Sequence, residues 1–449
     1  MNKFNEINEK IGNYRWTICA LVFFATTINY LDRNVLGLLK TTLEREMSWT
    51  ESDYSHVVMA FQLAYALGML GIGRVIDKVG TKLGYFLSLL GWSIAAMVHG
   101  LAHNTFTFGA ARAFLGVTEA GNFPAANKTM AEWFPKKERA LATGIYNSGA
   151  NIGAIIAPLC VPWIAASWGW EWAFVLTGAV GLIWLFFWWK LYKSPAEKLK
   201  EGKLSQKEFD YINSDKDEED VKEENKEKVS WFKLLSYRQT WSFFFGKFLT
   251  DPIWWFYMFW LPAFLEGENA RKLAAGNEDG VISWPWAIAV VYTISTIGSI
   301  FGGWLPKHFV DKGKTVYKAR MLSMFIYALL PLTVLAAQYV GQINTWYAVL
   351  LIGLACAGHQ AWSANIFTTV SDMFPKKAVA SVTGIGGMAG AFGGMLIAWA
   401  AGLLLDHYKV LEKIEVGYGI MFMICATAYL LAWIVMKFLV PKFKPITDL

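Results

Sequence analysis

Residues 132–145 read EWFPKKERALATGI, and residues 372–385 read DMFPKKAVASVTGI. Phe134, Pro135, Lys136, Lys137, Ala140, Thr143, Gly144 and Ile145 each have an identical partner 240 positions later. FPKK and TGI kept in one register mark a duplicated unit whose two copies run in the same direction. Each copy is a short basic, proline-containing turn between two apolar stretches. The unit is therefore built of apolar segments joined by polar turns. The same offset maps Glu119, inside one such segment, onto His359.

Of 449 residues, 55% are hydrophobic and 17% are charged, against about 25% charged in an ordinary soluble chain. The apolar residues gather in runs of roughly 20, the length that crosses the ~30 Å hydrocarbon core of a bilayer. The 23 Trp and 39 Gly point the same way, since Trp anchors helices at headgroups and Gly is common in membrane helices. This composition excludes a nucleic-acid binder, a secreted disulfide domain and a disordered chain. Twelve spans follow: 16–39, 54–76, 83–102, 105–130, 141–167, 171–192, 238–265, 283–305, 318–339, 345–370, 379–405 and 417–440. In lipid each segment must satisfy its own backbone, so each is expected to be a helix. The fold class is an all-α integral membrane protein. Its organisation is a six-helix bundle over 1–193, a linker over 194–236 and a second six-helix bundle over 237–449. The linker, with DEEDVKEENKEK at 217–228, reads as solvated chain. Within it Ser205, three residues before Glu208, is placed to cap a short helix.

Lys and Arg concentrate in alternate loops, at Arg74, Lys78 and Lys82, at Lys136, Lys137 and Arg139, at Lys307, Lys312, Lys314, Lys318 and Arg320, and at Lys376 and Lys377. The opposite loops carry acids, including Glu44, Glu46, Glu51, Asp53, Glu268, Glu278 and Glu412. The positive-inside rule then places both termini in the cytoplasm. The first apolar run is too long for a signal peptide and holds Asp32 and Arg33. Cys19, Cys160, Cys356 and Cys425 all fall in apolar runs and read as small buried residues.

A charge at mid-membrane costs a few kcal/mol, so it marks a partner or a cavity. Asp32 and Arg33 lie in span one. Arg112 and Glu119 lie two turns apart on one face of span four. Lys247 and Asp251 share a face of span seven; they read either as substrate contacts or as an internal salt bridge beside a helix disrupted by Pro252. His359 and Gln360 lie in span ten, and Gln62 and Tyr65 in span two. His359 also reads as a hydrogen-bonded packing residue. The cluster Trp254, Trp255, Phe256 and Tyr257 reads mainly as lipid-facing packing, with stacking on a sugar ring as the alternative. Carboxylates beside arginines suit proton coupling, and arginine grips a carboxylate through two parallel bonds. The implied cargo is a small organic anion carried with protons. There is no zinc-protease helix motif, nucleotide loop or Ser/His/Asp set. Neither an enzyme nor a metal or cofactor site is expected.

The turn GRVIDKVGTK (73–82) resembles the signature between helices two and three of the major facilitator superfamily. Within it the whole chain is similar to the anion:cation symporter family, and most like its hexuronate transporters. That likeness rests on INYLDRNVL (28–36), ARAFLGVTEAGNFPA (111–125), EWFPKKERA (132–140), GIYNSGANIGAIIAP (144–158), LSQKEFDYI (204–212), FLTDPIWWFYMFWLP (248–262) and AGHQAWSANIFTTVSDMFP (357–375). The resemblance implies two bundles that rock about a central site. It implies that Arg33 binds the substrate carboxylate, and that Asp32 and Glu119 carry protons with Arg112 as balancing charge. Tyr30, Tyr65 and Asn151 would line the sugar-acid pocket, joined by His359, Gln360, Trp362 and Ser363. Gly73, Asp77, Lys78 and Gly80 would form the gating motif. GIGGMAGAFGG (384–394) lacks the Asn that aldonate carriers of the family tend to have, which counts against an aldonate.

The resulting expectation is a proton-coupled importer of a hexuronate such as galacturonate or glucuronate, in a bacterial plasma membrane. The alternative is a carrier of another organic anion, an aldonate, aldarate or aromatic acid. A monomer in the lipid bilayer, with no nucleic-acid partner, is expected.

Overall fold

The structure, a computed structural model, describes residues 12–214, 230–442 and 446. Each of the twelve expected spans is helical. In the first half these are α1 (Tyr14–Leu38), α2 (Glu51–Val79), α3 (Thr81–Val98), α4 (Thr105–Glu119, resuming as Asn122–Trp133), α5 (Lys136–Trp168) and α6 (Trp170–Leu191). The second half holds α7 (Arg238–Ala274), α8 (Trp284–Asp311), α9 (Val316–Leu329, continued by a 3₁₀ segment to Ala336 and by Ala337–Ile343), α10 (Thr345–Met373), α11 (Lys376–Val410) and α12 (Ile414–Leu439). Most ends fall within a few residues of expectation. α7 is the exception, since it runs on to Ala274 and contains Pro252 and Pro262 without breaking. The expected disruption at Pro252 is therefore not found.

Among the described residues nine helices are long and apolar enough to cross a membrane. The three that fall short are α1, α4 and α7, which carry Asp32 and Arg33, Arg112 and Glu119, and Lys247 and Asp251. α4 falls short because it is split into helices of 15 and 12 residues.

The duplication is visible in the backbone. α4 and α10 both begin at a threonine after a capping asparagine. The Asn104 side chain accepts from Thr107 N at 2.8 Å, and the Asn344 side chain accepts from Trp346 N at 2.9 Å. α5 and α11 both begin after a proline, Pro135 at φ −62° and Pro375 at φ −64°. All these starts lie 240 positions apart. α4 departs from its copy at Ala120 and Gly121, where its hydrogen-bond ladder is interrupted. Pro124 explains this, because it has no N–H to give the carbonyl of Ala120. Ala364 stands at the matching place in α10, which is continuous.

α1 packs on α5, α2 on α4, α7 on α11 and α8 on α10, and the two halves meet along α2–α11 and α5–α8. Glycine permits the closest approaches. A Cβ on Gly153 of α5 would collide with the carbonyl oxygen of Thr27 in α1, and one on Gly393 of α11 with that of Phe248 in α7. These two glycines are again 240 apart.

The face of the molecule opposite the linker is tied across the halves. Asp406 of α11 accepts from the backbone N–H of Glu51 at 2.7 Å and of Ser52 at 2.9 Å, capping α2 from the other half. Lys40 bridges Glu44 at 2.5 Å and Glu51 at 2.9 Å, and Lys409 approaches the same two carboxylates at 3.7 and 3.6 Å.

In the linker, Ser205 caps Gln206–Asn213 as expected, accepting from Glu208 N at 3.1 Å. This helix is docked rather than solvated. Arg15 of α1 gives its backbone N–H to Glu208 at 3.1 Å and its Nε to Glu138 at 2.9 Å, and Ile212 is buried. The 217–228 stretch lies outside the described residues.

Overpacking a tight crossing costs about 1–3 kcal/mol. Gly153→Leu and Gly393→Leu are each expected to lower the thermal midpoint of the detergent-solubilised protein. Gly71→Leu, with nothing within 4 Å of its Cβ position, should leave it unchanged in the same scan.

Candidate functional site

Four charged side chains meet in the interior of the first half. Asp32 and Arg33 of α1 and Arg112 and Glu119 of α4 are all at most 2% exposed. Arg33 donates from Nε at 2.8 Å and from Nη2 at 2.7 Å to one oxygen of Glu119, Oε2. Its Nη2 also reaches Asn29 Oδ1 at 3.3 Å. The other Glu119 oxygen has no hydrogen-bond partner.

Aromatic rings enclose the Arg33 guanidinium. It lies 4.9 Å from the ring centres of Tyr30 and Tyr65, 5.3 Å from Phe61 and 5.5 Å from Trp255. Ring faces stabilise a guanidinium electrostatically, by up to ~2 kcal/mol when desolvated. Arg112 lies under the same Phe61 ring at 5.0 Å, and its Nη2 donates to the Arg33 carbonyl at 3.4 Å. Its Nε and Nη1 are unpartnered. Both oxygens of Asp32 lack a hydrogen bond; the nearby Thr177 hydroxyl donates to Phe174 O at 3.3 Å. Arg112 and Glu119 share a helix face but form no hydrogen bond with each other. Glu119 belongs to Arg33, and Arg112 acts at longer range.

Gln62 is buried with both amide atoms unpartnered, close to Trp255 and Gly394. Asn151 of α5 is half-buried.

The second half contributes a separate polar cluster. Lys247 and Asp251 form an ion pair at 2.6 Å, and the ammonium sits 4.3 Å over the Phe367 ring. His359 shares a 2.6 Å hydrogen bond with the Tyr429 hydroxyl and stacks on Trp254 at 5.0 Å and 12°. Trp362 is fully buried with its indole N–H unpaired, while Gln360 and Ser363 are half-buried.

The cluster Trp254–Tyr257 is not lipid-facing packing. Trp255 covers Arg33, Trp254 covers His359, and Phe256 and Tyr257 are at most 3% exposed. Sequence reasoning missed Phe61, which carries no polar signal. It also passed over Tyr292, whose hydroxyl donates to Asn34 Oδ1 at 3.2 Å and ties α8 to α1.

The turn at 73–82 is built as its residues suggest. Gly80 takes φ +85° between α2 and α3, as Gly313 does after α8. Asp77 pairs with Lys128 at 2.9 Å, and Thr81 donates to Glu132 at 2.5 Å. Lys78 is exposed. Gly73 makes no tight approach; the Pro124 side chain is 4.0 Å from its Cβ position.

The chain resembles known carriers along its whole length. A hexuronate transporter of Escherichia coli (strain K12) is 31% identical over 95% of this chain and 94% of its own. A D-galactonate transporter of Escherichia coli O6:H1 is 29% identical over 89% and 91%. In fold, a crystal structure of a D-xylose-proton symporter superposes at TM-score 0.73, covering 97% of this chain and all of its own at 14% identity. Residues 22–398 match the profile of the Major Facilitator Superfamily. The chain therefore belongs to the Major Facilitator Superfamily, as a multi-pass membrane transporter and not an enzyme.

Proposed function

We propose that this protein imports a hexuronate, such as galacturonate or glucuronate, with protons, by alternating access across a bacterial plasma membrane with both termini in the cytoplasm. One observation carries the proposal. Arg33 is held by a single oxygen of Glu119 inside an aromatic enclosure, beside an Asp32 that no group hydrogen-bonds.

Arg33 is the group with the geometry to grip a planar carboxylate, and Glu119 occupies it. Protonating Glu119 removes its claim and leaves the guanidinium to the substrate. Asp32, buried beside this pair and outside its hydrogen bonds, is placed to take up a second proton. Arg112, fixed and always charged, keeps the cluster near neutrality as the others change. Substrate and proton are thereby linked through one cation. Tyr30, Tyr65, Gln62 and Asn151 on one side, and Lys247, Asp251, His359, Gln360, Trp362 and Ser363 on the other, would take the sugar. The unpaired amide of Gln62 and indole N–H of Trp362 suit hydroxyl groups. The named relatives support a sugar acid as cargo. The basic-loop bias supports the orientation. The turn at 73–82 would serve in gating.

In proteoliposomes with an inward proton gradient, galacturonate or glucuronate should accumulate above its equilibrium level. Uptake indifferent to the gradient would overturn the coupling. Asp32→Asn and Glu119→Gln should each abolish accumulation while largely sparing exchange of internal for external substrate. Arg33→Lys loses the two-pronged grip and should raise KM on the order of ten- to a hundredfold.

The galactonate relative favours a second reading, an aldonate carrier. Competition against labelled galacturonate separates them. Uronates should displace the label at lower concentration than galactonate or galactarate; the reverse order would assign the site to those acids.

A further inference from the structure

We propose that a groove between α9 and α12, on the linker side of the molecule, holds the headgroup of an anionic phospholipid. The groove is about 350 Å³. Lys314, just before α9, Lys318 in its first turn and Lys437 near the end of α12 line it, and no carboxylate is among its described lining residues. Some basic groups elsewhere on this side are answered by acids: Lys128 by Asp77, Lys193 by Glu201 and Arg320 by Asp372. Three lysines line one groove with no carboxylate among its described lining residues, and an anion there would offset their like charge.

The wall beneath the lysines is apolar. Trp433 lies one turn from Lys437, and Phe325 lies two turns, about 10 Å, from Lys318. Their rings are 5.0 Å apart, and Leu322 continues the same wall. The Trp433 indole N–H is committed to Met321 O at 2.9 Å, which fixes the ring. A free inorganic anion would use the lysines and leave this wall without a purpose. A phospholipid uses both, with its phosphate among the ammonium groups and an acyl chain along Phe325, Trp433 and Leu322. The position agrees: the groove opens where basic loops meet apolar helix, at the leaflet that in bacteria and other cells carries anionic lipid. The ligand class is a glycerophospholipid with net negative charge. The inference does not depend on which substrate is carried.

Lys437 also has a structural role, donating to the Tyr317 hydroxyl at 2.7 Å and to Pro441 O at 3.2 Å. The test therefore leaves it in place. Native mass spectrometry of the purified full-length protein, titrated with phosphatidylglycerol, phosphatidylcholine or inorganic phosphate, reads the site directly. Wild-type protein should retain phosphatidylglycerol preferentially. Lys314→Gln/Lys318→Gln should weaken that binding roughly five-fold per lysine, on the order of 25-fold together. Lys314→Arg/Lys318→Arg should preserve it. Equal retention of phosphatidylcholine by the wild type would overturn the proposal. So would displacement of phosphatidylglycerol by millimolar phosphate, or undiminished binding by the glutamine variant.

Discussion

The ion pair between Arg33 and Glu119 sets the terms for everything around it. Neither group is more than 2% exposed, so each has lost the hydration that normally stabilises its charge, and removing either one strands the other at a cost of about 3–5 kcal/mol. The pair therefore has to be surrounded by compensation. Four aromatic rings supply part of it, and one of these, Trp255, comes from α7 in the other half of the chain. The guanidinium is consequently enclosed only while α7 lies close to α1. Gly37 of α1 permits this, since a Cβ there would strike the Met258 carbonyl of α7. Small residues at crossings and charges at the centre belong to one design: the backbones approach closely so that the rings can reach the charge.

A different economy governs the face opposite the linker. There the halves are joined by Asp406 capping the first turn of α2 and by Lys40 and Lys409 among Glu44 and Glu51. Helix N-terminal N–H groups need an acceptor, and water can replace a carboxylate there at a cost of about 1 kcal/mol. Parting this seam returns the buried Lys40–Glu51 pair and the first turn of α2 to water, whereas parting Arg33 from Glu119 requires another anion or a proton. One closure can be reversed by water and the other is conditional on ligand. That combination suits a carrier, which must open to each side but not with its site in an arbitrary charge state.

The fold was legible because its signals are long and redundant. Runs of twenty apolar residues and a duplicated FPKK…TGI register point to one arrangement, and the 240-residue offset reappears in the starts of α4 and α10. The titratable part of the site was also legible, because charge within a membrane span is costly enough to stand out. Its pairing was not. Arg112 and Glu119 share a helix face, yet Glu119 bonds to Arg33, which approaches from α1 with two nitrogens at 2.8 and 2.7 Å. Spacing along one helix cannot report what a neighbouring helix presents. The aromatic enclosure was hidden for another reason. Phe61 and Trp255 are apolar residues in apolar helices, and nothing in their immediate sequence separates a ring facing lipid from one facing an arginine. Pro252 misled because a helix packed on both sides can lose one hydrogen bond without breaking.

The two copies of the repeat have kept and changed different things. Gly153 and Gly393, Pro135 and Pro375, and Asn104 and Asn344 perform the same backbone tasks in both halves. Interior side chains do not correspond. Glu119 pairs with Arg33, while His359 at the matching position bonds Tyr429 and stacks on Trp254. Pro124 interrupts α4 a turn beyond Glu119, and Ala364 leaves α10 intact. Backbone crossings are constrained by sterics that both halves share, so they tolerate little divergence. Interior polar groups are constrained only by being satisfied, and the two halves satisfy them in unlike ways: one with opposing charges that can exchange partners, the other with a neutral stack and a short ion pair along one helix. An asymmetric ligand, with a carboxylate at one end and hydroxyls along the rest, needs that inequality. A symmetric pair of sites would present the same chemistry to both ends.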